Sequence, residues 1–282
     1  MIVVLGGSGT VGRELVVRLV ATGLDVRATY RTRPLLFEGV HSAQVDLETG
    51  VGLQAVLHGA RDLFLLTADG PFQERMQLRV LDAAVEAGVS RVVFLSVMGA
   101  ETEAFTYART HAATERALAA SGLRYTVLRP NAFMQNFSTY YWPEIRWTDT
   151  FGLPCEDATI SHVDARDIAD VAAAVLGSSA HDGNTYVLTG PASLDFSQVA
   201  AILSRRTIRP VRYRHVDERV YRERLAVVGV PDDAIDRMLE QHRFSRLGWS
   251  SVVTSDVTRV TGRPPRSFQR FVDECWPPES CR

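Results

Sequence analysis

The sequence predicts an α/β fold: a Rossmann-type doubly wound parallel sheet with a smaller, mostly helical C-terminal lobe. Three observations carry this. The chain opens Met1-Ile-Val-Val-Leu5, an apolar run that reads as a fully buried strand. It passes at once into Gly6-Gly-Ser-Gly-Thr-Val-Gly12, and residues 13–20 then show helical spacing. Strand, tight turn and helix N-terminus in that order give a glycine fingerprint its meaning. Beyond it, apolar runs alternate with helical patterns, which argues for a parallel sheet covered by helices on both faces.

The elements follow in order. Strands are expected at 2–5, 25–30, 43–46, 62–67, 91–96 and 124–128, and helices at 10–22, 51–57, 72–87 and 108–120. Gly23, Gly59, Gly88 and Gly122 each fall just past a helix, where a left-handed stop is expected. After Pro130 the pattern changes to a stretch rich in aromatic and amide side chains, 131–143. A helix at 163–176 and a strand at Thr185–Leu188 return to the sheet. The rest is arginine-rich and mostly helical, at 196–206, 218–228, 232–242 and 255–261. The expected layout is a nucleotide-binding domain over 1–190, with 132–160 contributing to the lobe, and the lobe itself over 191–282. Ligands of open α/β sheets lie outside the carboxyl ends of the strands, so the lobe should close over that edge.

Bulk properties narrow the function. The chain has 282 residues and a net charge of −2, which leaves no electrostatic footprint for nucleic acid or an anionic membrane. No apolar run approaches a membrane span, and nothing ahead of the first strand leaves room for a signal peptide. Cys155, Cys275 and Cys281 are an odd set at unrelated spacings, read as reduced thiols in a cytoplasmic protein, with Cys281 at a frayed end. All 31 basic residues are arginine. A phosphate-loop lysine, a Schiff-base lysine and a Tyr-x-x-x-Lys dyad are therefore excluded. His162, Asp164 and Asp167 could suggest a metal, but acids there read better as a helix start, and no metal is expected. Ser96 lacks the Gly-x-Ser-x-Gly elbow of a serine hydrolase.

The glycine loop points to a dinucleotide. Gly6, Gly9 and Gly12 permit the turn, the close approach of backbone and the packing of helix on strand; Ser8, Thr10 and Val11 complete the cradle. About 20 residues past such glycines, an acid holds the ribose 2′-hydroxyl of NAD. Here that stretch reads Thr29-Tyr30-Arg31-Thr32-Arg33, with no acid and two arginines. Guanidinium suits bidentate contact with phosphate, so Arg31, and with it Arg33, argue for the 2′-phosphate of NADP(H). The competing reading is a pair of solvated loop arginines. Asp46, with Leu47 beside it, is placed to meet the adenine amino group, and an Asx turn explains it almost as well.

These segments together resemble the atypical short-chain dehydrogenases, specifically the NmrA-like group. The matching stretches include Phe94-Leu-Ser-Val-Met-Gly-Ala100, His111-Ala-Ala-Thr-Glu115, the run from Ser121 to Asn136, Val163-Asp-Ala-Arg-Asp-Ile-Ala-Asp170 and Val260-Thr-Gly-Arg-Pro-Pro265. That group contains NADPH-dependent quinone reductases, triphenylmethane-type dye reductases and redox-sensing regulators. The resemblance implies that Thr67 and Ala68 flank the adenosine and pyrophosphate. It implies that Ser96, Val97, Met98, Pro130, Asn131 and Phe133 line the nicotinamide. Phe72, Met98, Phe133, Met134, Asn136, Phe137, Tyr141 and Trp142 become candidates for the wall of a flat aromatic substrate, with ordinary lobe core as the alternative.

In ordinary members of the superfamily a tyrosine donates a proton, and a lysine four residues on lowers its pKa and holds the ribose. Tyr107-Ala-Arg-Thr-His111 keeps the tyrosine and the spacing on one helix face, but the lysine is His111. Histidine can bond the ribose hydroxyls or donate a proton, yet is not reliably charged at neutral pH. Tyrosine needs a neighbouring cation to be a good acid, and Arg109 lies on another face. Tyr107 reads either as proton donor or as a packed helix-start aromatic. A quinone or other conjugated acceptor takes hydride with less help from an acid than a simple ketone. The expectation is thus NADPH-dependent reduction of such an acceptor, a polyketide-type natural product being one case. The alternatives are a redox sensor that binds NADP(H) without turnover and an epimerase-like or dehydratase-like enzyme that keeps its nucleotide. A homodimer is compatible with the sequence and not demanded by it.

Overall fold

The computed structural model of the chain describes residues 1–35 and 37–277, so Cys281 lies outside the described residues. The N-terminal part runs β1 (Ile2–Val4), α1 (Thr10–Ala21), β2 (Val26–Tyr30), β3 (Val40–Gln44), α2 (Leu53–Leu57), β4 (Asp62–Leu65) and α3 (Gln73–Glu86). It continues with β5 (Arg91–Leu95), α4 (Thr106–Ala120) and β6 (Arg124–Pro130). Next come α5 (Trp142–Thr148), β7 (Thr150–Leu153), β8 (Thr159–Ile160), α6 (Ala165–Gly177) and β9 (Thr185–Leu188). The chain closes with β10 (Leu194–Asp195), α7 (Phe196–Leu203), β11 (Arg212–His215), α8 (Glu218–Val227), α9 (Asp232–Arg246), α10 (Asp256–Thr261) and α11 (Phe268–Cys275).

The main sheet has seven parallel strands in the order β3-β2-β1-β4-β5-β6-β9. Strand order reverses between β1 and β4, the switch point where such sheets bind ligands. Successive strand residues face opposite layers. Ile2, Val4, Phe64, Val93, Leu95 and Leu128 pack under α1 and α6, while Val3, Leu63, Leu65, Val92, Phe94 and Val127 pack under α2 and α3. Helix α1 buries Val11, Leu15 and Leu19 with Gly12 and Val16, a stripe at helical period. Gly23, Gly59, Gly88 and Gly122 all take positive φ, between 70° and 76°, and stop their helices as expected.

The third strand starts earlier than the sequence suggested and ends before Asp46. Its register pairs Val26 with Val40 and Tyr30 with Gln44. Asp46 instead turns the chain, its Oδ1 accepting from Glu48 N at 2.9 Å. Helix α4 begins at Thr106, two residues earlier than expected, so Tyr107 lies within it. The aromatic segment forms a π-helical turn, Phe137–Tyr141, leading straight into α5.

The C-terminal part is less purely helical than its sequence suggested. β11 pairs parallel with β7, and β10 pairs antiparallel with β8. A second core gathers Phe137, Phe151, Phe196, Phe268, Phe271 and Trp276. Not all of this part stays with that core: Val257 of α10 joins the core under α6. At the start of α10, Asp256 Oδ2 accepts from Val187 N at 2.8 Å, which uses up a donor on the exposed edge of β9.

Candidate active site

The glycine loop sits at the switch point, and its glycines are required by close approach. A Cβ on Gly12 would lie 2.1 Å from Gly6 O, and one on Gly7 would lie 2.8 Å from Ala28 Cβ. Gly6 has φ +64° and donates its N–H to Thr29 Oγ1 at 3.1 Å. Helix α1 has Gly9 as N-cap and no side-chain cap, and Ser8, Gly9 and Thr10 are exposed. The first N–H groups of a twelve-residue helix are thus free to meet an anion, with the helix dipole in support. This cradle fits the pyrophosphate of a dinucleotide.

Arg31 and Arg33 follow β2 and are exposed, without a carboxylate partner among the described residues. The Arg31 backbone oxygen accepts from Gln44 Nε2 at 2.9 Å, which fixes where its side chain starts. Asp46 lies close enough to feel the Arg31 charge; its carboxyl is held low first by Thr49 and by backbone N–H groups of its own turn. Leu47 is half-buried beside it.

The loops after β4, β5 and β6 hold the next candidates. Thr67 is buried, its Oγ1 accepting from Gln77 Nε2 at 3.1 Å, while Ala68 is exposed. Gln77 Oε1 in turn accepts from Thr114 Oγ1 at 2.7 Å, so a buried chain of bonds ties this loop to α3 and α4. Ser96 Oγ donates to Glu115 Oε1 at 2.5 Å, and Glu115 also binds Arg129. Met98 N bonds Pro130 O at 2.9 Å, which joins the two loops, and Val97 is half-buried against Phe105, Ala108 and Phe244. Asn131 is committed to structure: Nδ2 donates to Ser161 Oγ and to Ser250 O, both at 2.8 Å. Phe133 is half-buried and bridges to Val163.

His111 and Tyr107 share one face of α4 but live in different surroundings. His111 is 6% exposed and stacks on Phe94, with ring centroids 5.5 Å apart. Its Nδ1 is buried without a hydrogen-bond partner. Burial pushes its pKa down to about 4, against a smaller upward pull from Glu115, so it is neutral at physiological pH. A neutral imidazole can exchange hydrogen bonds with ribose hydroxyls but supplies no positive charge.

Tyr107 is half-buried at the mouth of the site, where residues the sequence gave no reason to choose converge on it. Arg237 of α9, Asp69, Tyr140 and Tyr221 all lie near enough to act on it electrostatically. Burial, then the Asp69 charge, raise the phenol; Arg237 opposes them. Asp69 is open to water on one side and crowded by protein on the others, and that crowding raises its carboxyl against Gln73 and Arg237. Next along α9, Glu240 Oε2 accepts from Thr106 N at 2.6 Å.

The aromatic stripe divides. Met134 and Phe137 are sealed in the lobe core, Phe137 against Tyr141, Phe151 and Phe268. Trp142 packs edge-on against Trp276 at 4.8 Å, and Tyr141 stacks on Phe151 at 6.0 Å. Asn136 is half-buried. Phe72 is 44% exposed with Arg75 over its ring, and Tyr140 is 67% exposed.

Comparison with known proteins identifies relatives along the whole length of the chain. The model of the NmrA-like family matches residues 1–248. An NAD(P)H azoreductase of Xenophilus azovorans is 34% identical over 276 residues, 96% of either chain. A (4-alkanoyl-5-oxo-2,5-dihydrofuran-3-yl)methyl phosphate reductase of Streptomyces griseus is 34% identical over 281 residues, 97% of either chain. Among solved structures, the NADPH complex of an NADPH-dependent quinone oxidoreductase from Escherichia coli superposes with a TM-score of 0.85 at 24% identity, covering 97% of this chain and 99% of that one. The chain belongs to the NmrA-like family.

Proposed function

We propose that the chain is an NADPH-dependent oxidoreductase whose acceptor is a quinone-like or other conjugated aromatic compound. One observation carries the reading: an uncapped α1 N-terminus at the switch point, behind glycines that admit no side chain, with Arg31 exposed just past β2. The azoreductase, the furanyl phosphate reductase and the quinone oxidoreductase support it by kinship or by fold. Bound NADPH would supply hydride.

The chain's own residues have distinct tasks. The N–H groups of the glycine loop and α1 bind pyrophosphate, and Arg31 with Arg33 meets the 2′-phosphate. Thr67, Ala68, Asp46 and Leu47 border the adenosine. Ser96 to Met98 and Pro130 to Phe133 shape the nicotinamide pocket, with His111 as neutral partner for the ribose. Tyr107 holds a proton at its hydroxyl for the reduced acceptor. Phe72, Phe133 and Tyr141 offer apolar surface for a flat ring and Asn136 a polar amide beside it, while Met134, Phe137 and Trp142 support that wall from the core.

The test is NADPH oxidation, followed at the nicotinamide absorbance, against benzoquinones, naphthoquinones, anthraquinones, an azo dye and a cationic dye, with NADH as control. Saturable turnover favouring NADPH supports the reading. Tight NADP(H) binding with no turnover on any acceptor replaces it with the sensor.

A further inference from the structure

Position 111 has no cation to act on Tyr107, yet a tyrosine that gives up a proton leaves a phenolate needing positive charge beside it. His111 is neutral and buried against Phe94. Arg109 turns instead to Thr106 Oγ1 at 2.7 Å and to Glu240. The helix carrying Tyr107 therefore supplies no cation of its own at the phenol.

A cation arrives from the other side of the site. Helix α9 crosses the start of α4 and is fastened there by Glu240, whose Oε2 lies 2.6 Å from Thr106 N and 2.7 Å from Thr106 Oγ1. Arg237 is three residues earlier, on the same face of α9 and so beside Tyr107. Its side chain is only 12% exposed. Nη1 is held by Asp233 Oδ2 at 2.7 Å, and Nε is buried with no partner. A guanidinium this enclosed, tethered at one nitrogen and unpartnered at another, is aimed rather than solvated.

We propose that Arg237 is the positioning residue for Tyr107: supplied by the lobe, it takes over the task of the cation absent at position 111. The inference rests on the reductase reading. When the acceptor has received hydride, the Tyr107 hydroxyl gives its proton to the acceptor's oxygen or nitrogen, and the O–H bond electrons stay on the phenolate. Arg237 stabilises that phenolate, which then takes a proton from water at the open side of Asp69. Acceptor, hydride and one proton from solvent thus balance. The charged and titratable groups facing the phenol are Arg237 of α9, Asp69 of the loop after β4, Tyr140 of the π-helical turn and Tyr221 of α8. Arg237 is the one cation among these. Because it comes from α9, proton delivery depends on the lobe being docked on α4.

The experiment uses full-length protein with Tyr107→3-fluorotyrosine, whose fluorine resonance reports ionisation of that phenol without cofactor or turnover. Arg237→Met should raise its titration midpoint by about one pH unit or more, Arg237→Lys should restore most of it, and Asp236→Asn, at an acid of the same helix paired with Arg222 instead, should leave it nearly unmoved. In the unlabelled enzyme, Arg237→Met should lower quinone turnover about tenfold and shift the alkaline limb of its pH profile upward, with little change in KM for NADPH. A midpoint unchanged by Arg237→Met, or moved equally by Asp236→Asn, overturns the inference. A midpoint that shifts with Arg237→Met in a protein whose wild type reduces no acceptor overturns the reductase reading and leaves the electrostatic pairing intact.

Discussion

Glu240 caps the helix that carries Tyr107: its carboxylate accepts both Thr106 N, at 2.6 Å, and Thr106 Oγ1, at 2.7 Å. Helix α4 has Phe105 at its N-cap and no side-chain cap of its own, so a residue 134 positions away meets an orphaned donor. The lobe thereby fixes where α4 begins, and with it the position of the phenol.

Removing that cap should cost stability and order at once. Glu240→Ala is expected to destabilise the fold by about 1 kcal/mol, the usual cost of a lost N-cap. Denaturant unfolding measures it, and faster amide exchange at Thr106 and Tyr107 should accompany it. Unchanged exchange there would show that α4 holds its start without the lobe.

Acid should weaken the fold well before most carboxylates titrate. Burial pushes His111, His162 and His242 each down to about 4. Unfolded, they take protons near pH 6.5, so between the two values the unfolded state binds more protons and stability is lost as pH falls. Each contributes at most about 3 kcal/mol across that window. The urea midpoint should drop between about pH 7 and about pH 5, and His111→Phe should flatten part of that slope. An equal slope in the variant would place the burden on the other two.

The glycine loop should tolerate change only where space exists. Gly12→Ala places a Cβ 2.1 Å from Gly6 O, a clash that backbone must relieve. Gly9→Ala meets Gly6 O at 3.2 Å and nothing else. The Gly12 variant is expected to lose NADPH binding by more than about tenfold in calorimetry, and to melt lower; the Gly9 variant should lose less. The reverse ranking would move the phosphate away from α1.

Nucleotide preference should reside in Arg31. Arg31→Ala removes a charge-assisted contact of about 1.5–3 kcal/mol, so KM for NADPH should rise by at least tenfold while KM for NADH changes little. If both rise together, Arg31 acts on the adenosine rather than on the 2′-phosphate.

Phe137 and Phe72 separate core from wall. Phe137 is wholly buried, and Phe137→Ala should cost about 3–5 kcal/mol of stability. Phe72 is 44% exposed, so Phe72→Ala should leave stability nearly unchanged and raise the acceptor KM. A Phe72 variant with wild-type kinetics on every acceptor would remove that ring from the substrate wall.

The sheet was legible because its signals are local. Ile2, Val3, Val4 and Leu5 spell a buried strand, and Gly6, Gly9 and Gly12 spell the turn that follows, all within one stretch of chain. Helix stops at Gly23, Gly59, Gly88 and Gly122 are local for the same reason. The aromatic stripe was not resolvable, because Phe137 in the core and Phe72 at the surface are the same residue type. Only packing separates them. Asp69 and Arg237 carried no signal, since a loop acid and a helical arginine look solvated until another element covers them.

By itself the sequence determined the nucleotide cradle, the parallel sheet and the loss of the lysine at position 111, since each depends on residues adjacent in the chain or four apart on one helix. The tertiary structure alone decided what surrounds Tyr107. Arg237, Asp69 and Glu240 reach α4 from a lobe helix and a strand-end loop, 38 to 134 residues distant, and that meeting is fixed by how α9 packs on α4. His111 is likewise an ordinary histidine in the sequence, and it becomes a neutral, enclosed ring because Phe94 and its neighbours exclude the water that would hydrate its charge.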